Sequence, residues 1–522
     1  MLVRNGYTIP NESYFDTYVA AKWCHPDLTD YGLEALALHM TDMPQWRQTI
    51  GKLAMDDFEQ MSNDVLANRC AGDAEAPLKL KKVLEPEIKR LKLTKIWNLG
   101  MSCLPVLAEI GGLGMYVNID ELKKRASSQE GGVGYWLEKE KADLESLLKI
   151  DNLHSHQQLA KILYKDLKAV PLRETTKGWS TDRLSLYWAR FKAQEENNQE
   201  IILILNRLLE YGTQSKLHST YYTSWLSGIG ADGRVHSNYS LGGTISGRLS
   251  SFDFNLQNTP DSVRELVVPS PGYDIIVAAD ESAIELRTAA HVSRDPTLVE
   301  WIRNKVDIHS RIAARVLGLS EPRTQEEFAR FKKEHNKERQ AGKKAVFSSL
   351  YGVSAESLAW QLFKESDGLT WIPPMQMQQY LDMIFKTFYG YKQYITELWY
   401  KLLDNNWIVS ETGRRWVFEA TRAGWRQAQN FPIQSLASDL MLIGLRKLFY
   451  ELKRLRMKSR LIGTVHDSVI LEAPKAELKT LYKLLKECLE NPDTSKFGFS
   501  LRVPLAVETK IGPTFKQLEV VA

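Results

Sequence analysis

Arg339, Lys343, Phe347 and Tyr351 stand four residues apart in the stretch KERQAGKKAVFSSLYGVSAESLAWQ, residues 337–361. On an α-helix that spacing gathers all four on one slowly drifting stripe. Two cations followed by two aromatics suit a ligand with phosphates at one end and a flat base and sugar at the other. A solvated basic face running into a buried aromatic patch fits the stripe alone equally well. Two acids supply the second kind of chemistry. Asp280 closes the apolar run YDIIVAAD, and Asp467 sits inside RLIGTVHDSVILE. An acid in such surroundings is costly unless it is paired, hydrogen-bonded or bound to a metal. Taken singly, each fits a strand end, a turn or a helix cap better. VHDSV, with apolar residues on both sides, suits a tight hairpin presenting His466 and Asp467 at its tip. Two such carboxylates side by side would hold two divalent cations, which stabilise both the attacking and the leaving oxygen in phosphoryl transfer. Mg²⁺ is the natural choice for hard oxygen ligands and substrate phosphates.

The elements that must position these residues follow from periodicity. At 522 residues the chain exceeds one ordinary core, and two to four domains or subdomains are expected. Residues 1 to about 90 mix a turn-rich start with helical patterns, and 95 to 215 read as mostly helical. Between 217 and 290 short strand candidates alternate with Gly, Ser, Asn and Pro turns; 291 to 405 return to helix. From 407 onward strands (WIVSET, RWVFEA, RLIGTVHDSVILEA, LRVPLAVETKIG) are interleaved with helices. Strands on both sides of a helical insertion suggest one mixed sheet carrying a helical subdomain. A net charge of +4 permits a nucleic-acid partner without demanding one. The four cysteines, Cys24, Cys70, Cys103 and Cys488, are scattered, so neither a disulfide framework nor a zinc site is supported. The start MLVRNGYTIPNESYFD lacks the apolar core of a signal peptide, and no apolar run is seen to approach a membrane helix in length. A soluble cytoplasmic protein is expected, in a bacterium or a phage-infected cell.

Five ordered segments then carry a family resemblance: SGRLSSFDFNLQNTP (246–260), DESAIELRTAAHVS (280–293) with VDIHSRIA (306–313), the Arg339–Tyr351 helix, WRQAQNFPIQSLASD (425–439) and VHDS (465–468). Together they resemble the family A DNA polymerases, the class of bacterial DNA polymerase I and its phage relatives. The resemblance implies an α+β right-hand fold, with an antiparallel-sheet palm, helical fingers and a thumb, preceded by part of an RNase H-like exonuclease. The implied division is 1–92 exonuclease-like, 93–215 thumb, 216–290 palm, 291–406 fingers and 407–522 palm again. Its implied activity is template-directed DNA polymerisation, with primer–template DNA and dNTPs as partners, two Mg²⁺ ions as cofactors and Mn²⁺ as a substitute.

Carried over position by position, the resemblance makes Asp280 and Asp467 the metal-binding carboxylates. Arg339, Lys343 and His309 would hold the triphosphate, Lys343 offsetting charge on the departing pyrophosphate. Phe347 would pack on the incoming sugar and base, and Tyr351 would lie where the templating base stacks. Glu285 with Tyr351 would exclude a ribose 2′-hydroxyl. Arg248, Asn255, Gln257, Asn258, Arg426, Asn430, Gln434 and His466 would line the duplex minor groove or primer terminus, and Lys216 would contact backbone phosphates. The alternatives to these roles are a turn for Asn258, an ordinary helix start for His309 and a solvated surface lysine for Lys216.

The chain departs from the family pattern at several points: Ser468 where an acid is usual, Glu281 for Tyr, Ala283 for Gln, Val346 for Asn, and Ser435-Leu436 for Gly-Thr. Ser468 is expected to alter metal support without abolishing it. The segments YFDTYVAAKWCHPDLTDYGLEALAL and NRCAGDAEAPLKL resemble the later half of the family's proofreading domain, with Asp73 at its last acidic position and Arg69 in place of Tyr. The other acids of that domain would lie before Met1, so the chain alone is expected not to proofread. The segment would then be a relic, or the exonuclease half would be a separately encoded partner or an upstream region.

Overall fold

A computed structural model describes residues 14–46 and 62–521. Its frame is a five-stranded sheet drawn from distant parts of the chain: β1 (Ile275–Glu281), β2 (Arg460–Val465), β3 (Ser468–Ala473), β4 (Val507–Gly512) and β5 (Glu519–Val520). The spatial order is β2-β3-β1-β4-β5, and every pairing is antiparallel. The expectation of a mixed sheet is thereby corrected. β2 and β3 are joined by a two-residue turn, which only antiparallel strands allow, and no short helical crossover links any neighbouring pair. The strand candidates WIVSET and RWVFEA stand apart, pairing as their own ribbon (Trp407–Val409 with Arg415–Val417).

Six helices place the functional side chains: α1 (Thr94–Leu113), α2 (Ile284–Ser293), α3 (Ile308–Leu317), α4 (Asn336–Ser349), α5 (Arg422–Arg454) and α6 (Leu478–Leu489). The unbroken apolar runs of β1 and β3 are explained by burial of both sheet faces. Val277, Ala279, Val469 and Leu471 pack beneath α1, α5 and α6, against residues such as Ile110, Leu445 and Leu485. Ile276, Ala278 and Ile470 face the opposite way, toward Met115, Trp225, Val263 and Phe515. Alternation still operates within the run; it sorts residues between two cores instead of between core and water.

α1 is long and apolar enough to cross a membrane by length and composition, which the sequence reading did not expect. Its buried residues Ile96, Val106, Leu107 and Ile110 are spent in the core beneath the sheet. Among the described residues before Met115 the chain is helical (Thr17–Cys24, Leu33–Met40, Asn63–Arg90), and these helices pack into the same core. Asp73 accepts a hydrogen bond from Trp46 Nε1 at 2.9 Å. The reading of the first residues as lacking a signal peptide falls mostly on 1–13, outside the described residues. Cys24, Cys103 and Cys488 are buried, Cys70 is exposed, and all four are free.

Two helical lobes flank the sheet. One has a core of Leu144, Leu148, Leu205 and Leu208. The other is inserted between β1 and β2 and centres on Trp301, Ile312, Tyr380 and Phe388. It carries α3 and α4, which cross closely because position 342 is glycine. A Cβ there would lie 2.9 Å from the carbonyl oxygen of His309.

Candidate active site

The two aspartates meet through strand register. Ser468 opposes Asp280 across β3 and β1, and the backbone N–H of Glu281 donates to the carbonyl of Asp467 at 3.1 Å. The His466–Asp467 turn presents the second acid, and His466 adopts φ +52°, a left-handed conformation that the tight reversal requires. Asp280 shares its sheet face with Ala278, and both, with Asp467, line an open cavity of about 640 Å³. Ser468 Oγ donates a short hydrogen bond to Asp280 Oδ1. The residue in the unusual position therefore orients one of the two carboxylates.

Glu281 is the acid that sequence reading noted only as a departure. Being one residue on from Asp280, it is 4% exposed, and neither side-chain oxygen has a hydrogen-bond partner among the described residues. Burial first, then the neighbouring Asp467 and Asp280, push its carboxyl well above the usual range. Burial likewise raises Asp467, against the opposing pull of Arg248.

Arg248 knits the floor of the cavity together. Its Nη2 lies 3.2 Å from Asp467 Oδ2 and 2.9 Å from Glu285 Oε1. Glu285, in the first turn of α2, also accepts the Tyr351 hydroxyl at 2.7 Å on each oxygen and Gln434 Nε2 at 3.3 Å. Gln434 Nε2 reaches the Tyr351 oxygen at 3.2 Å as well. Burial, and then Glu285, raise the Tyr351 phenol to about 12, so it stays a donor. Glu285 and Tyr351 thus form a rigid ridge beside the two aspartates.

α4 carries Arg339, Lys343 and Phe347 but ends at Ser349, so Tyr351 lies in the turn just beyond it and not on the expected helix. Phe347 and Tyr351 line the cavity, whereas Lys343 is exposed and makes no ion pair among the described residues. Arg339 Nε is held at 2.9 Å by Asp307 Oδ2. Asp307 simultaneously caps α3, accepting from the backbone of His309 and Ser310 at 3.2 Å each. His309 stands with its ring 5.6 Å from Phe347, and its buried Nδ1 has no hydrogen-bond partner among the described residues. Burial lowers its pKa to about 4, which keeps the ring neutral at ordinary pH. Asp307 escaped sequence reading because a helix cap and a guanidinium partner use the same residue type; only the α3–α4 crossing joins the two roles.

Of the remaining expected contacts, His466 lines this cavity and the others lie away from its lining. Asn255 holds a turn, its Oδ1 accepting from Asn258 N–H at 3.2 Å and from Ser251 Oγ at 2.9 Å. In this turn the closing side chain is that of Asn255, and Asn258 contributes its backbone N–H. Gln257 and Asn430 are buried, and Asn430 Oδ1 lacks a partner. Arg426 is half-buried on α5, and Lys216 is exposed at the end of the helix Gln199–Leu217. His466 is exposed at the cavity rim, and burial of part of its ring, then Arg248, lowers its pKa. Arg264, Lys510 and Lys516, unremarked in the sequence, also line the cavity.

The donor set bears on what the cavity holds. Among the described residues no three His, Cys, Asp or Glu side chains are grouped as a protein-only metal cage. Two adjacent carboxylates opening on a cavity are what Mg²⁺ requires when substrate phosphates and water supply its other oxygens. Glu281 beside them, its carboxyl held toward the neutral form by burial, adds no settled charge to this pair.

An antiparallel sheet with acids at a hairpin tip and an adjacent strand end, faced by an inserted helical lobe, defines the right-hand polymerase architecture. A family model described as DNA polymerase family A matches residues 124–517, and the chain belongs to that family. It is 28% identical to DNA polymerase I of Bacillus subtilis over 523 residues, 97% of this chain and 53% of the relative. It is 32% identical to DNA polymerase I of Geobacillus stearothermophilus over 380 residues, 70% of this chain and 40% of the relative. The chain spans about half the length of the curated relatives it matches. Its fold is that of the POL domain of Pol1 from M. smegmatis, solved in complex with DNA primer-template and dNTP. The TM-score is 0.79 at 24% identity, covering 99% of this chain and 84% of that one.

Proposed function

We propose that the chain is a DNA-directed DNA polymerase that extends a primer 3′-hydroxyl with dNTPs by two-metal-ion nucleotidyl transfer. The observation that carries this reading is that Asp280 and Asp467 line one cavity together with Phe347 and Tyr351. The 3′-hydroxyl would give up its proton to water as its oxygen bonds to the α-phosphorus, the bond from α-phosphorus to the bridging oxygen would break, and pyrophosphate would leave. Asp280 and Asp467 would hold the divalent ions, which supply charge stabilisation for the attacking and leaving oxygens. Ser468 would fix the rotamer of Asp280. Arg339, positioned by Asp307, would clamp the phosphates with Lys343 and neutral His309, while Phe347 packs on the sugar and base.

The ridge of Glu285, Tyr351 and Gln434 supports selection of deoxyribose, since a 2′-hydroxyl beside it would meet a carboxylate already saturated by donors. Arg248, held between Glu285 and Asp467, would contact the primer terminus. Asn255, Gln257, Asn258, Arg426, Asn430 and His466 would track the duplex, with Lys216 on its backbone. The division of the chain follows: 93–215 thumb, 216–290 and 407–522 palm, 291–406 fingers, with α1 rooted under the sheet. A cytoplasmic setting suits DNA and dNTPs as partners.

The test is Mg²⁺-dependent primer extension. Asp280→Ala and Asp467→Ala should each lose extension by at least about a thousandfold while still binding primer–template DNA. Near-wild-type extension by either variant refutes the assignment. A wild-type chain that binds the junction but never extends it would make the protein a DNA-binding scaffold.

A further inference from the structure

Beside the cavity of the two aspartates, and sharing Ala283 with it, lies a second chamber of about 600 Å³. Asp307, Ile308 and His309 form one wall, so it adjoins the residues that position Arg339. Its character differs sharply from that of the first cavity. No Phe, Tyr or Trp lines it, while Arg287, Arg303, Lys305 and Lys486 all do.

These four cations are not neutralised locally. None of them forms an ion pair among the described residues. Arg287 is braced by backbone carbonyls alone, donating to Ser282 at 2.8 Å and Pro504 at 2.6 Å. Arg303 donates only to the carbonyl of Arg502, at 2.6 and 3.0 Å. Of the two carboxylates on the lining, Asp307 is taken by Arg339, and Glu490 accepts the backbone N–H of Val507 at 3.0 Å. Burial lowers the pKa of Arg287, and the nearby carboxylates Glu490 and Glu281 offset that only in part. His309 adds a buried Nδ1 with no hydrogen-bond partner among the described residues. Four cations converging on a chamber without an aromatic surface match a small, highly charged oxyanion and offer nothing to a base or sugar.

We propose that this chamber binds the pyrophosphate released by nucleotide addition. The inference rests on the polymerase reading and deepens it. Phosphates held near Arg339, Lys343 and His309 would lie at the chamber mouth. Once the bond to the α-phosphorus is broken, the product can move toward Arg287, Arg303, Lys305 and Lys486 without re-crossing the cleft occupied by DNA. The same cations could instead act only on the triphosphate tail before reaction, and the test separates the two.

The variant Lys305→Gln/Lys486→Gln removes two exposed charges that touch neither aspartate nor the α4 stripe. On the full chain with primer–template DNA and Mg²⁺, product inhibition by pyrophosphate and the KM for dNTP are measured together. The expected result is an inhibition constant for pyrophosphate raised roughly tenfold, with KM for dNTP changed less than about twofold. Isothermal titration of the same complex with inorganic pyrophosphate should show a matching loss of affinity. Equal shifts in both constants, or no shift in either, overturn the proposal. Should the double variant not fold by circular dichroism, Lys486→Gln alone serves with the same readouts. A wild-type chain that fails to extend primers sinks the polymerase reading instead, because the comparison of constants then cannot be made.

Discussion

Arg248→Ala probes the charge balance beneath the cleft. The guanidinium lies 2.9 Å from Glu285 and 3.2 Å from Asp467, with side-chain exposures of 26%, 8% and 21% respectively. At about 3 Å and an effective dielectric near 20, each pair is worth roughly 5 kcal/mol of Coulomb attraction. Desolvation of the three groups cancels most of it. Removing one partner is a different matter, because it strands carboxylates in a half-dry wall; breaking a buried pair costs about 3–5 kcal/mol. Discounting for the exposure of Arg248 and Asp467 leaves a loss of about 2–3 kcal/mol in the absence of metal. In urea unfolding with EDTA, monitored by tryptophan fluorescence, the transition of the variant should come at lower urea. Adding Mg²⁺ should then recover more stability in the variant than in the wild type, since a divalent cation replaces the missing positive charge. A midpoint equal to that of the wild type in EDTA, or an equal Mg²⁺ response in both proteins, would refute this reasoning.

Three further outcomes are expected. Glu285→Ala should raise ribonucleotide incorporation relative to deoxyribonucleotide by at least about tenfold, whereas Tyr351→Phe, which loses one hydroxyl, should act more weakly; single-turnover insertion of matched rNTP and dNTP measures both. Asp307→Asn should raise the KM for dNTP about three- to tenfold with little change in kcat, because Arg339 loses a charged hydrogen bond while an α3 cap is retained; steady-state titration of dNTP reads it. Gly342→Ala should destabilise the inserted lobe by about 1–2 kcal/mol: the gain in helix propensity of about 1 kcal/mol is outweighed by a Cβ 2.9 Å from a backbone oxygen, and a higher denaturation midpoint would contradict it.

Much of the site was legible as residue type in a local pattern. The four-residue spacing singled out Phe347 on α4 and Tyr351 in the turn just past its end, and both line the cavity. VHDSV announced its hairpin, since a two-residue reversal between apolar strands has few alternatives. Glu281 was visible only as an unusual letter. Its burial follows from strand alternation beneath a sheet covered on both faces, and the second covering layer comes from α1, α5 and α6, which are remote in sequence. A turn role was legible only for Asn258, whereas the side chain that closes that turn is Asn255's.

From the order of residues alone came the stripe of cations and aromatics, the two acids in apolar strands, the helical insertion and the family motifs in sequence. All of these depend on neighbours within a few positions or on the succession of segments. Tertiary structure decided the partners: Ser468 on Asp280, Arg248 between Asp467 and Glu285, Asp307 between a helix cap and Arg339, and the cationic chamber behind Ala283. Each of those pairings closes a loop of tens to hundreds of residues. Which distant side chains meet is set by how sheet and helices pack, and local periodicity carries no record of it.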